Sequence, residues 1–238
     1  MRHYIYFSFL LICMTINAQT NDTTRISRVD SIFSPKLTGE AFFDDKHFVG
    51  DQYFNKDWSK GNILLSTGSL VHCEKIKYNG LFDEVIWTNT SNYGKFKVDK
   101  SFIREFWIKN ALDSIIHFKK INVSDPASVH QSCVFAEVGV EGKLSLYIQR
   151  KISVLSTENK YVENKLCCFE NIGDTPLYYL KLASNRYALL RKIRQRTFLK
   201  LFPEQKTAIA KVLKENHLNF KSENDFVKAI DLLNEKVF

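Results

Sequence analysis

Outside the first eighteen residues, the side chains best suited to bind a metal or to act as base and nucleophile are five histidines and four cysteines. The histidines are His47, His72, His117, His130 and His217, and the cysteines are Cys73, Cys133, Cys167 and Cys168. Two groupings bring these types together, His72-Cys73 and His130-x-x-Cys133. On a strand, residues at odd spacing point to opposite faces, so neither pair converges on one ion. The sequence therefore assigns no metal and no cofactor. Adjacent acids at Asp44-Asp45 and Asp83-Glu84 do not form the facing carboxylate pair that acid–base hydrolysis uses, and they read as turn residues and a solvated face. The chain lacks the glycine-rich phosphate loops, the paired-histidine zinc helix, the serine elbow and the CxxC dithiol. Its catalytic residues, if it has any, are unknown. A hydrolase built on this sequence would place its site in a sheet cleft near His72, His117 or His130.

Charge gives a second kind of chemistry. The chain carries +8, and Lys181, Arg186, Arg191, Lys192, Arg194, Arg196 and Lys200 fall within residues 181–200 with no acid among them. Arg2 supplies one further charge, so everything else balances to zero. The excess is a local feature and not a general solubility coat. Leu189, Leu190 and Ile193 lie among these cations, a composition suited to anionic lipid, lipopolysaccharide, nucleic acid or an acidic protein. The competing expectation is a solvated face whose acidic neighbours come from elsewhere in the fold. No nucleic-acid-binding module is visible, so specific nucleic-acid recognition is not expected.

The elements that must position these residues come from periodicity. Between residues 57 and 182 the signal is period two, clearest in Leu144, Leu146, Ile148, Ile152 and Val154 set against Lys143, Ser145, Gln149, Lys151 and Ser153. That pattern predicts strands with one buried and one wet face, hence an antiparallel sheet. Glu141-Gly142 separates this run from Val134, Ala136, Val138 and Val140, predicting a tight hairpin. Phe102-Ile103 and Phe106-Trp107-Ile108 are apolar on both faces, which suggests a central strand or a curled sheet. After Leu182 the spacing of Leu189, Leu190, Ile193, Leu201 and Phe202 predicts a helix. Pro203 fits the first turn of another, with Ala208, Ile209, Val212 and Leu213 on its stripe. Ser222 followed by Asp225 resembles a capping box, and opens a last helix with Phe226, Val227, Ile230 and Leu233 inward.

The amino terminus carries Arg2 and His3, then an apolar run from Tyr4 to Ile16, then Asn17-Ala18 before a polar stretch. This is the order of a secretory signal peptide, and the run is shorter than the ~20 residues that span a bilayer. Cleavage is expected after Ala18. Outside the cytoplasm the four remaining cysteines either pair in one of three connectivities or stay as buried thiols.

Short motifs along the chain carry a likeness: Gly61 to Gly68, Lys77-Tyr78-Asn79, Asp83-Glu84-Val85, Ile103-Arg104-Glu105-Phe106, Gly142 to Tyr147, Tyr161-Val162-Glu163, and the basic stretch into Phe202-Pro203. In these the chain resembles a family of secreted, Bacteroidetes-type bacterial proteins with no assigned activity. The resemblance implies a location in the periplasm, on the outer-membrane surface or in the medium. It also implies that Asp22-Thr23-Thr24, Asp30-Ser31-Ile32 and Asp113-Ser114-Ile115 fit the loose O-glycosylation tripeptide of such bacteria.

The expectation is an α+β chain: signal peptide 1–18, extended lead-in 19–50, mainly antiparallel β domain 51–185 (curled, barrel-like or sandwich), and a helical part 186–238 with two or three amphipathic helices packed on it. Its expected role is a non-enzymatic exported protein that binds an anionic envelope component or acidic protein through residues 181–200. The alternative is the exported hydrolase.

Overall fold

Alternation of apolar and polar side chains over most of the chain favours antiparallel strands that pair mostly with their neighbours in sequence. A computed structural model describes residues 37–238 apart from 38, 45, 46, 90–93, 111 and 125–130. The leader, His130, Asp45 and the tripeptides at Asp22 and Asp30 lie outside the described residues. Two short strands come from the expected lead-in, β1 (Gly39–Ala41) and β2 (Phe48–Val49). The chain continues as β3 (Ser59–Leu65), β4 (Leu70–Asn79), β5 (Glu84–Thr88), β6 (Lys95–Val98), β7 (Ile103–Lys109), β8 (Ile115–Ser124), β9 (Gln131–Val140) and β10 (Ser145–Gln149). Next come β11 (Ile152–Val162), β12 (Lys165–Asp174), β13 (Leu177–Lys181) and β14 (Tyr187–Leu190). The chain ends in α1 (Gln195–Leu199), α2 (Lys206–Glu215) and α3 (Glu223–Lys236).

Eleven strands form one antiparallel sheet in the order β1-β6-β5-β4-β3-β7-β8-β9-β10-β13-β14. The sheet is open, with β1 and β14 at its edges, so of the expected shapes the closed barrel is excluded. β11 and β12 form a long hairpin outside this sheet, and β2 runs parallel to β12. The alternating run from Leu144 to Val154 was expected as one strand, but it breaks after Gln149. The chain turns there, and the Arg150 guanidinium enters the protein between Glu137 at 2.6 Å and Glu223 at 2.7 Å. The turn from β9 into β10 lies where expected, and α3 is capped by the Ser222 hydroxyl, which accepts from the Asp225 amide at 3.1 Å.

Cross-strand register places Phe106, Phe118, Glu137, Ile148, Tyr178 and Leu190 on one face. At one end of that face, Tyr78, Phe106, Phe118 and Phe135 make an aromatic core, with Phe106 and Phe118 stacked at 4.7 Å. At the other end the helices cover Val140, Leu146, Ile148, Leu180 and Leu190. Tyr147, Tyr179, Val134 and Ala136 are buried on the opposite face, so β10 is buried throughout, Ser145 and Gln149 included. Phe102 departs from the two-faced expectation, since it lies exposed in a 3-10 turn before β7.

The turn between β4 and β5 fixes the end of the sheet where β10 leaves. Asn79 is fully buried and its side-chain oxygen accepts from the amides of Leu81 and Phe82. Gly80 donates to the Gln52 carbonyl and accepts from the Ile152 amide. A side chain there would come within 2.3 Å of the Arg150 carbonyl, so only glycine permits this approach. Asp83, at φ 58°, was expected as a solvated turn residue. Its carboxylate is instead largely buried, accepting from the Tyr78 hydroxyl at 2.7 Å and the Phe135 amide at 3.2 Å and pairing with Lys100. Burial raises its pKa above the usual carboxylate range, and the Lys100 ammonium opposes that rise. The Phe135 amide needs this acceptor because β10 pairs with β9 only from Glu137 onward.

Asp83→Ala leaves a fully buried Tyr78 hydroxyl and the Phe135 amide without their acceptor. The expected loss is roughly 2–4 kcal/mol of stability, read from urea unfolding midpoints. Lys100→Met, at a partly exposed position, should cost less.

Candidate functional site

The basic segment begins at Lys181, half-buried at the end of β13. A tight turn follows, in which Leu182 and Arg186 exchange a main-chain hydrogen bond and Asn185 takes φ 58°. Tyr187 to Leu190 were expected in a helix but form β14. Ala188 and Leu190 pack toward the helices, and Tyr187 and Leu189 toward the other face. Regular helix starts only at Gln195, where Phe198 is fully buried against Phe202 at 5.1 Å and Phe220 at 5.3 Å. Leu190, Ile193, Phe198 and Leu199 thus anchor the segment inward. Arg186, Arg191, Lys192, Arg194, Arg196 and Lys200 are left exposed.

Among the described residues, none of the seven basic side chains of 181–200 makes an ion pair. Elsewhere Lys60, Lys95, Lys97, Lys100, Lys109, Lys119 and Arg150 are each paired with a carboxylate, while Lys77 and Lys120 reach main-chain carbonyls. Among the described residues, the compensation expected from elsewhere in the fold takes no ion-paired form. Glu204, exposed in the turn before α2, is the sole acid between Lys181 and Glu215.

An open cavity of about 650 Å³ lies within this surface, lined by Gln195, Arg196, Leu199, Lys200, Pro203 and Lys206. Lys206 opens α2, whose first turn has neither a side-chain cap nor an acid. Its free amides and the positive end of its dipole therefore add to three ammonium or guanidinium groups. By contrast α3 begins with Glu223 and Asp225 under the Ser222 cap. Gln195 escaped the sequence reading because it carries no charge, and Lys206 because it lies beyond Glu204 and the turn at Pro203 hides how the next helix returns. Exposed, unpaired cations around a concave patch can bind an extended or clustered anion, and they supply no nucleophile or base.

The sheet candidates do not assemble a catalytic group. His72, Asn62, Trp107 and His117 sit in one cross-strand row on β4, β3, β7 and β8. The two histidines are thus three strand spacings apart, roughly 14 Å. His72 Nδ1 meets Asn62 Oδ1 at 2.7 Å, and His117 Nε2 meets Glu105 Oε2 at 2.9 Å while its ring stacks on Trp107 at 4.6 Å. A cavity of about 280 Å³ beside this row includes His72 and Trp107. No serine, threonine or cysteine side chain is hydrogen-bonded to either ring among the described residues. No group of three or more possible metal ligands occurs among them either.

All four cysteines are free, so the disulfide alternative is not realised here. Cys73 lies in the aromatic core while His72 beside it is exposed, the opposite-face arrangement expected for a strand. Among the described residues no helix is long and apolar enough to cross a membrane. Comparison with protein-family models, with curated proteins and with solved structures gives no match.

Burial pushes the Cys73 thiol up from 9.0 to about 12. Its folded pKa lies above its unfolded value, so this group's contribution to stability is lost as pH rises from about 9 toward about 12. A maleimide at pH 8 should label the exposed Cys133 and Cys168 in the folded protein and reach Cys73 only in denaturant, as peptide mass spectrometry would show. Rapid labelling of Cys73 under native conditions would contradict its placement.

Proposed function

We propose that this chain is an exported, non-enzymatic protein of a bacterial cell envelope that binds an anionic envelope surface through residues 181–200. One observation carries the reading: among the described residues six exposed cations stand together with no carboxylate partner, whereas Lys95, Lys97 and Lys119 of the sheet each have one. Unpaired like charges oppose folding, so a cluster of them is retained at a cost that an external anion would offset. The acid-free first turn of α2 and the cavity beside it extend the same field. The leader-like amino terminus supports a location in the periplasm, on the outer-membrane surface or outside the cell. The hydrolase alternative finds less support, because His117 is engaged by Glu105 and Trp107 with no nucleophile beside it.

The test uses vesicles containing phosphatidylglycerol or lipopolysaccharide, with neutral vesicles as the control. Each basic residue near an anionic surface contributes about 1 kcal/mol. Replacing Arg191, Lys192, Arg194 and Arg196 by glutamine should therefore weaken binding about a thousandfold, with an unchanged circular dichroism spectrum. Wild-type affinity should also fall steeply with added salt. Equal binding by the folded variant would refute the reading, and wild-type binding to acidic proteins but not to vesicles would redirect it.

A further inference from the structure

Among the described residues, nothing pairs with the outer edge of β11 in the β11–β12 hairpin. Residues 154–166 are exposed throughout, including Leu155, Tyr161 and Leu166 at 64%, 78% and 62%. Among the described residues β11 pairs with β12 alone, so one side of an eleven-residue strand keeps its main-chain groups unpaired. A long free edge is a template for another strand unless it is blocked by proline, a bulge or a cover. The one register shift in this pair lies at Val154/Ser156, near the base, and the remainder is regular to the tip.

Which groups face outward follows from the turn. Glu163 and Asn164 both take positive φ, 50° and 63°, as a two-residue hairpin loop requires. Val162 and Lys165 then form the first hydrogen-bonded pair, and bonded and non-bonded pairs alternate from there. Tyr161, Asn159 and Thr157 fall in the non-bonded pairs, so their N–H and C=O groups point away from β12. The partner strand agrees: Glu170, opposite Thr157, sends its amide outward to the His47 carbonyl at 3.1 Å.

We propose that β11 pairs with β11 of a second copy of this chain, antiparallel about a two-fold axis at Asn159. That register sets Asn159 opposite Asn159 and Thr157 opposite Tyr161, the three residues whose main-chain groups are free. It also sets Glu158 opposite Lys160 of the other copy, twice, in the closely spaced non-bonded positions. Charge complementarity singles out a copy of the same strand over an arbitrary one. Glu158 and Lys160 now satisfy each other at 2.8 Å within one chain and can exchange partners across the axis without leaving a charge unpaired.

Sedimentation velocity of the purified protein at micromolar concentration tests this. The wild type should be a dimer. Asn159→Pro removes an outward amide that β12 does not use, so it should leave the hairpin folded and yield monomer. Glu158→Lys and Lys160→Glu each place like charges opposite one another and should weaken the dimer by about tenfold or more. An equimolar mixture of those two variants restores opposite charges at both positions and should recover the dimer. A monomeric wild type would overturn the proposal, including one that captures an extended peptide from another protein. A dimer indifferent to Asn159→Pro, or charge variants that fail to recover on mixing, would overturn it equally.

Discussion

Burial of Phe198 is the contact on which the proposed function depends. The helix that carries it, Gln195–Leu199, spans five residues and could not hold its form alone, since a short isolated helix gains too little to offset its nucleation cost. The ring is fully buried against Phe202, Phe220 and Phe226, and Phe226 in turn meets Tyr178 of the sheet at 6.0 Å. This aromatic chain fixes the backbone from Leu190 to Phe202. The cations interspersed along it have no direction left but outward. Their mutual repulsion is weak in water at surface separations, whereas emptying a buried phenylalanine site costs roughly 3–5 kcal/mol.

The sheet and the basic segment handle charge in different ways. Across the sheet, several lysines meet carboxylates on neighbouring strands, as Lys97 does with Glu40 and Glu84. Arg150 goes further and enters the protein, held by Glu137 of the sheet and Glu223 of the last helix, with the Tyr178 hydroxyl donating to Glu223 at 3.0 Å. That link ties the helical cover to the sheet, so the basic segment has a firm base and a free upper surface. The charge asymmetry therefore follows the architecture and not composition alone.

Much of this was legible in the sequence. Period two located most of the strands, and Ser222 with Asp225 marked the last helix, because both are local signals. The basic window was visible by counting, but its lack of partners was not, since pairing is decided by residues distant in sequence. Leu189, Leu190 and Ile193 suggested a helix because a four-residue strand buried on both faces has the spacing of a helical stripe. Arg150 falls in the apolar phase of the alternating run, so Gln149-Arg150-Lys151 breaks the pattern locally, but the runs on either side stay in phase and hide that the strand ends there. Asp83 looked like an ordinary turn acid, because the amide it serves lies in β9, fifty-two residues away. The same limit hid Lys206, which joins the cavity only through the turn at Pro203.

The central claim is that anions meet this protein at the surface Phe198 holds in place. Hydrogen–deuterium exchange of the purified protein, with and without phosphatidylglycerol vesicles, tests it directly. The account predicts slowed exchange confined to residues 181–206, strongest in the opening turn of α2, with the sheet amides around Trp107 unchanged. Protection centred on the Trp107–His117 face, or none in residues 181–206, would contradict it.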